Sequence, residues 1–194
     1  LGDLADMFLK RYPASDVHES MLTTVRDAFY GWSMERLVRK QAALGVPAYL
    51  YYFDHGYPAE DSAGLHGFHA SEVPYVWGRI DHTLIYWPKI PATPLEQNMA
   101  DAMGDYWASF ARSGRPQAKG EPDWLPYGSD ANYMAFEATP QPSTHLLPGM
   151  FSLREEIVCR RRMNGTMAWD WNFGVIAPPL PPQSEQCANP TRAK

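Results

Sequence analysis

Six apolar residues in a row, at positions 48–53, constrain the fold of this chain more than any other feature. Turn formers bound the run, with Gly45 and Pro47 before it and Asp54 after it. The run does not alternate between apolar and polar residues, which is typical of a strand covered on both faces in a mostly parallel sheet. We predict one further short strand at 132–137. Because two strands cannot cover such a run, we expect additional strands from outside these 194 residues.

Helical patterns flank the predicted strand. Five stretches have the apolar spacing of amphipathic helices, namely 4–12, 17–29, 33–44, 93–113 and 152–162. We expect side-chain N-caps at Asp3, Ser33, Thr93 and Ser152, and the last two open capping boxes that Glu96 and Glu155 complete. Gly114 follows the fourth helix as a typical C-terminal stop.

Composition excludes several classes of protein. The chain is 45% hydrophobic and 13% aromatic, which excludes disorder throughout its length. Its net charge of −5 argues against a nucleic-acid partner, which needs a basic face. No apolar run approaches the roughly 18 residues of a membrane span, so we expect no transmembrane helix. The proline-rich segment 178–194 predicts a disordered tail, and Cys159 and Cys187 allow either one disulfide or two thiols.

The segment 54–68 is predicted to be a long loop, and long ordered loops at strand ends are often functional. Histidines are concentrated in and after it, at positions 55, 66, 69 and 82. His66, His69 and Glu72 have a spacing that could suit a metal, but Gly64 and Gly67 interrupt any helix there. We therefore expect surface histidines in this segment, with no metal ion.

A serine nucleophile is not evident in the sequence. The nearest candidate is Ser62, in the string Glu60-Asp61-Ser62-Ala63-Gly64. The strained turn that presents a hydrolase serine needs glycine on both sides, and Glu60 stands where the first glycine belongs. We therefore do not assign Ser62 a catalytic role.

The string Gly67-Phe68-His69-Ala70-Ser71-Glu72-Val73-Pro74-Tyr75-Val76-Trp77-Gly78 resembles the catalytic-histidine segment of the type-B carboxylesterases, the family that includes the cholinesterases. That family has His, two variable residues, Glu, an aliphatic, often Pro, an aromatic, Val, an aromatic and Gly, and every place is matched. Three flanking stretches are also similar to the family, in the same order: 46–53, 103–116 and 124–127. The resemblance covers residues 1 to about 137 well and the remainder weakly.

The resemblance implies the C-terminal part of an α/β-hydrolase fold over 1–177, incomplete as a domain, with His69 as the general base of a Ser-Asp/Glu-His triad. It places the serine, the acid and the oxyanion hole upstream of this chain. Glu72 is expected to be a structural acid, and Phe68, Tyr75 and Trp77 could line a substrate pocket.

The resemblance also implies the partners of the chain. The substrate would be a small carboxylic ester, and the remainder of the same domain would complete the site. The reaction would need neither a metal ion nor an organic cofactor. The isolated chain would be inactive, and we expect a secreted or periplasmic rather than a cytoplasmic protein.

Two other hypotheses stay open at this point. The parent could be a cholinesterase-like binding or adhesion domain that has lost catalysis, because one residue of a triad does not establish activity. Alternatively, the chain could be a self-standing module whose histidine-rich loop binds zinc or nickel. That module would fold cooperatively alone, whereas the hydrolase reading predicts open strand edges and aggregation of the isolated chain.

Overall fold

The computed structural model describes residues 1–65, 67–163 and 187. The chain divides into two compact units. One contains residues 1–40 with the described residues from 147 onward, and the other contains residues 41–146.

The first unit is helical. A 3₁₀ turn at Gly2–Leu4 leads into α1, α2 runs through a π-helical turn at Arg26–Gly31 into α3, and α7 follows much later; their bounds are Ala5–Arg11 (α1), Val17–Val25 (α2), Trp32–Ala43 (α3) and Met150–Met163 (α7). Leu4, Leu153 and Ile157 form its buried apolar cluster, as the spacing in the last helix predicts. Elsewhere the first unit leaves apolar residues of α2 and α3 exposed, among them Met21 and Leu37. The apolar spacing of α3 predicts that Leu37 and Val38 both point inward. Val38 is buried, but Leu37 is exposed, so the prediction is wrong for Leu37.

Three predicted N-caps in this unit are wrong, because the helices begin elsewhere. Asp3 lies in the 3₁₀ turn, and its carboxylate pairs with Arg160 of α7. Ser33 lies inside continuous helix, where its hydroxyl donates to the Phe29 and Tyr30 carbonyls. Helix α7 starts two residues before Ser152, whose hydroxyl donates to the Gly149 carbonyl at 3.1 Å.

A disulfide joins Cys159 of α7 to Cys187, which decides between the two states that the sequence left open. Apart from Cys187, the predicted tail 178–194 lies outside the described residues.

The second unit contains a three-stranded sheet in the order β1-β2-β3, with bounds Tyr51–Phe53 (β1), Asn132–Phe136 (β2) and Pro140–Thr144 (β3). The β1–β2 pair is parallel, as the apolar run predicts, and the β2–β3 pair is antiparallel. Strand β2 confirms the predicted strand, whereas the sequence reading missed β3. Among the described residues, β1 pairs with β2 alone, so its other edge has no strand beside it.

Three helices lie in the connection between β1 and β2. Between β1 and β2 lie α4, α5 and α6, with bounds Pro58–Ser62, Val73–Val76 and Pro94–Ser113. The segment 54–68 is therefore not all loop, because Pro58 starts the short helix α4. Thr93 caps α6, and Gly114 ends it in the left-handed conformation at φ 72°, as predicted. Aromatic and methionine side chains of α5, α6 and the strands form the core of the unit.

Within the described stretches, no helix is both long enough and apolar enough to span a membrane.

Candidate active site

His69 lies in the connection that follows the carboxyl end of β1. This connection returns close to the strand, because a Cβ at Gly67 would stand 2.9 Å from the Phe53 carbonyl oxygen. Two turn hydrogen bonds, from Ser71 N to the Phe68 carbonyl (3.0 Å) and from Val73 N to the Ala70 carbonyl (3.1 Å), shape the backbone around His69. The His69 side chain is exposed. In α/β folds, ligands and catalytic groups lie beyond the carboxyl ends of the parallel strands. The exposed His69 imidazole follows the carboxyl end of β1, which pairs in parallel with β2.

Glu72 lies immediately before the short helix α5, three residues after His69. It is half-buried, and it accepts a hydrogen bond from the Tyr51 hydroxyl of β1 at 3.4 Å. Burial raises the pKa of Tyr51 to about 12, and the charge of Glu72 adds to this shift. Glu72 therefore links the histidine segment to the first strand.

The three aromatic residues predicted for a pocket lie in different environments. Phe68 is half-buried and packs edge-on against Trp87, with ring centroids 4.9 Å apart. Trp77 is 75% exposed. Tyr75 is fully buried in the core, and its hydroxyl donates to Glu96 at 2.6 Å. Burial also raises its pKa above the ordinary range. Tyr75 thus presents no surface to a substrate in this arrangement.

His66 and Ser62 were also considered as candidates in the sequence. His66 lies outside the described residues. Ser62 lies in α4, where its hydroxyl donates to the Pro58 carbonyl at 2.7 Å. Its place in a short helix differs from the strained turn that presents a hydrolase nucleophile. Within the part of the chain that the structure describes, no group of histidine, cysteine and acidic side chains is arranged to hold a metal ion.

A buried polar cluster at the same edge of the sheet was missed by sequence reasoning. His55 is 2% exposed, and its Nε2 lies 2.7 Å from Oε2 of Glu96. Its Nδ1 contacts the backbone carbonyl of Glu137, just after β2. Glu60 of α4 is also fully buried, and among the described residues its carboxyl group has no side-chain hydrogen-bond partner.

Glu96 was noticed in the sequence only as the second member of the capping box at the start of α6. The first hydrogen bond of the box is present, because the Thr93 side chain accepts from the Glu96 backbone N–H. The reciprocal bond from the Thr93 N–H to the Glu96 side chain is not formed, because that carboxyl group contacts His55 and Tyr75. The Thr93 N–H donates instead to the Pro91 carbonyl. The predicted second half of this capping box is therefore wrong.

The region that contains His69 falls within a match to a known protein family. The model of the Carboxylesterase family matches residues 4–151. The chain belongs to the carboxylesterase family. A medium-chain fatty acyl-CoA hydrolase precursor of Anas platyrhynchos is 25% identical over 180 residues, which cover 85% of this chain and 31% of that protein. Carboxylesterase 1F of Mus musculus is 28% identical over 67% of this chain and 23% of its own length. The chain thus spans about a third or less of these carboxylesterase relatives.

Solved carboxylesterase structures share the fold. A carboxylesterase of Geobacillus stearothermophilus superposes with a TM-score of 0.63 at 22% identity, over 76% of this chain and 31% of that one. A pNB esterase gives a TM-score of 0.56 at 20% identity, over 78% and 30% of the two chains. The three-stranded sheet and its helices are accordingly part of an α/β-hydrolase fold, as the sequence implied.

Proposed function

We propose that this chain is the C-terminal part of a serine carboxylic-ester hydrolase and that His69 is its general base. The observation that carries the proposal is the position of His69. It is exposed beyond the carboxyl end of a parallel strand, inside the region that the carboxylesterase family model matches. The names of the relatives, which include carboxylesterases and an acyl-CoA hydrolase, support ester substrates for the complete protein.

In the proposed reaction, the His69 imidazole accepts the proton of a serine hydroxyl as that oxygen attacks the ester carbonyl. The resulting imidazolium then gives the proton to the leaving alcohol as the carbon–oxygen bond breaks, which leaves an acyl-enzyme. Water then attacks the acyl carbon while the same ring accepts its proton, and the imidazolium returns that proton to the serine oxygen as the acyl–oxygen bond breaks and the acid leaves. The serine, the triad acid and the oxyanion hole come from the remainder of the same hydrolase domain. The isolated chain is therefore inactive.

The neighbouring residues have separate roles in this proposal. Glu72 supports the histidine segment from the β1 side through Tyr51. Phe68 and Trp77 retain accessible ring surface, so they are the candidates for contact with the acyl or alcohol group of the ester. Tyr75 does not share that role, because its ring is fully buried and its hydroxyl is engaged by Glu96.

We also propose that the protein matures in an oxidising compartment, as a secreted or periplasmic hydrolase does. The Cys159–Cys187 disulfide supports this, because disulfides persist in such compartments and are rare in the cytosol.

The test is the replacement of His69 by alanine in the complete hydrolase, assayed on p-nitrophenyl esters of short acids. Loss of the base lowers kcat/KM by about 10³-fold or more. His82→Ala is the matched control, because His82 is also exposed, in the following segment, and pairs with Asp81 at 2.6 Å. We expect the control to retain wild-type activity. Retained hydrolysis in His69→Ala contradicts the role of His69, and a wild-type protein without esterase activity favours the binding-domain hypothesis.

A further inference from the structure

The buried cluster joins both ends of the segment that carries His69. His55 lies two residues after β1, at the start of the segment, and Tyr75 lies six residues after His69. Both contact the same atom, Oε2 of Glu96, at 2.7 Å and 2.6 Å. Glu96 is 2% exposed and sits in the first turn of the 20-residue helix α6. One carboxylate on a long helix therefore anchors two points that are 20 residues apart in sequence.

The hydrogen-bond geometry shows how the members of the cluster are joined. The Nδ1 atom of His55 faces a carbonyl oxygen, which only accepts, so this nitrogen carries a hydrogen. Its Nε2 faces the carboxyl group of Glu96, and the Tyr75 hydroxyl donates to the same carboxyl oxygen. The arrangement is thus a buried histidine–carboxyl contact with one phenol donor.

Other titratable groups surround the pair. Glu60 of α4 faces it, and burial raises the pKa of Glu60 to about 7. Tyr57 lies between the strand and α4, with its pKa raised to about 12 by burial and by the charges of Glu60 and Glu96. Its hydroxyl donates to the Pro88 carbonyl rather than to Glu96. His55 thus lies among two buried carboxyl groups and two phenols.

We propose that Glu96 is a positioning residue for His69: its carboxyl group, held by His55 and Tyr75, fixes both ends of the segment 54–78 at the carboxyl edge of the sheet. This inference rests on the proposed role of His69 as the base. General-base catalysis depends on placement, since a displacement of about 1 Å can cost about 10²-fold in rate. Glu96 is buried and is not among the residues proposed to contact the ester, so its loss should leave KM unchanged. Its loss should lower kcat, because it changes the placement of the base.

The experiment compares Glu96→Gln and Tyr75→Phe with wild type in the complete hydrolase. Active sites are counted with a phosphonate ester that modifies the serine. We expect Glu96→Gln to lower kcat per active site by about 10-fold to 10²-fold with KM unchanged, and Tyr75→Phe to lower it less. A residue that only stabilises the fold reduces the melting temperature and the number of active sites, but not kcat per site. Tyr106→Phe is the matched control, because Tyr106 is equally buried in the same core and its hydroxyl donates to the Pro122 carbonyl.

Two measurements on the same proteins are independent of activity. Nitrogen NMR of the histidine rings should show a hydrogen on Nδ1 of His55 in wild type and a changed Nε2 signal in Glu96→Gln, because Nε2 faces the carboxyl group that this variant removes. Amide hydrogen exchange in 54–78 should be faster in Glu96→Gln, with α6 beyond its first turn unchanged. Unchanged kcat per site together with unchanged exchange overturns the proposal. A His55 Nε2 signal that is the same in wild type and Glu96→Gln also overturns it. A wild-type protein that hydrolyses no ester overturns the proposed function instead, while the NMR and exchange results still decide whether Glu96 anchors the segment.

Discussion

The Glu60 carboxyl group shows how one side chain can make the stability of this region depend on pH. It is fully buried, and burial raises its pKa from the ordinary value of about 4.5 to about 7. The neighbouring His55 cation opposes this shift, and the charges of Asp61 and Glu96 add to it. The folded protein therefore holds the proton more tightly than the unfolded chain does. The stability associated with this group is fully present below pH 4.5 and is lost as the pH rises through about 7.

Glu60→Gln removes the buried charge while keeping the size of the side chain. We expect this variant of the complete protein to be more stable than wild type at pH 8, by at most about 3 kcal/mol, with the difference vanishing towards pH 4. Thermal unfolding across that pH range measures it. Glu137→Gln is the control, because the Glu137 side chain is exposed and only its backbone carbonyl contacts His55. A difference that grows towards low pH would have the wrong sign for a raised pKa.

Helix α6 shows which elements local sequence can define. Its ends follow from Thr93 and Gly114, because a side-chain acceptor and a left-handed glycine act on their own backbone neighbours. The cap predicted at Ser33 fails for the opposite reason. A π-helical turn carries the chain from α2 into α3, so no N-terminus exists there. Such continuity depends on packing rather than on the residues at the junction.

Strand β3 was missed because its composition argues against a strand. It contains Pro140 and Pro142, and proline cannot donate to a ladder. The strand is tolerated at the edge of the sheet, where it pairs with β2 alone among the described strands. His69 could be assigned from a contiguous string, whereas His55 and Glu96 are 41 residues apart and meet only through the fold. Sequence reading therefore identified the candidate base but not the residues that anchor its segment.

The Thr93 cap gives a prediction at the level of the helix. Thr93→Ala removes the side-chain acceptor for the Glu96 N–H and should destabilise the complete protein by about 1 kcal/mol in urea unfolding. Thr93→Ser retains the hydroxyl and should recover most of that loss. Equal stability of all three proteins would show that the cap contributes nothing to this helix.

At the scale of the whole molecule, both units of the described chain leave groups without partners, apolar side chains in the first unit and a strand edge in the second. In the first unit, Val17, Met21 and Val25 share one face of α2 and are each at least half exposed. In the second unit, one edge of β1 has no partner among the described strands. The chain also spans 31% of the Geobacillus carboxylesterase whose fold it shares. The proposal of a hydrolase domain completed by further chain accounts for all three observations.

The isolated 194-residue chain should therefore bind a hydrophobic dye such as ANS, associate in solution and show no sharp, reversible thermal transition. The complete hydrolase should bind little dye and should hydrolyse p-nitrophenyl esters. It should lose that activity when its triad is altered. Cooperative, reversible unfolding of the isolated chain would support the self-standing module instead, and zinc or nickel binding by that chain would strengthen this alternative.

The most direct test of the central claim is a crystal structure of the complete hydrolase after a phosphonate ester has modified its nucleophile. The account predicts that a ring nitrogen of His69 lies within about 3 Å of the serine Oγ or of the departed alkoxy position. It also predicts that His55 remains buried on Glu96. A structure in which another side chain occupies the base position, with His69 directed into solvent, would contradict the account.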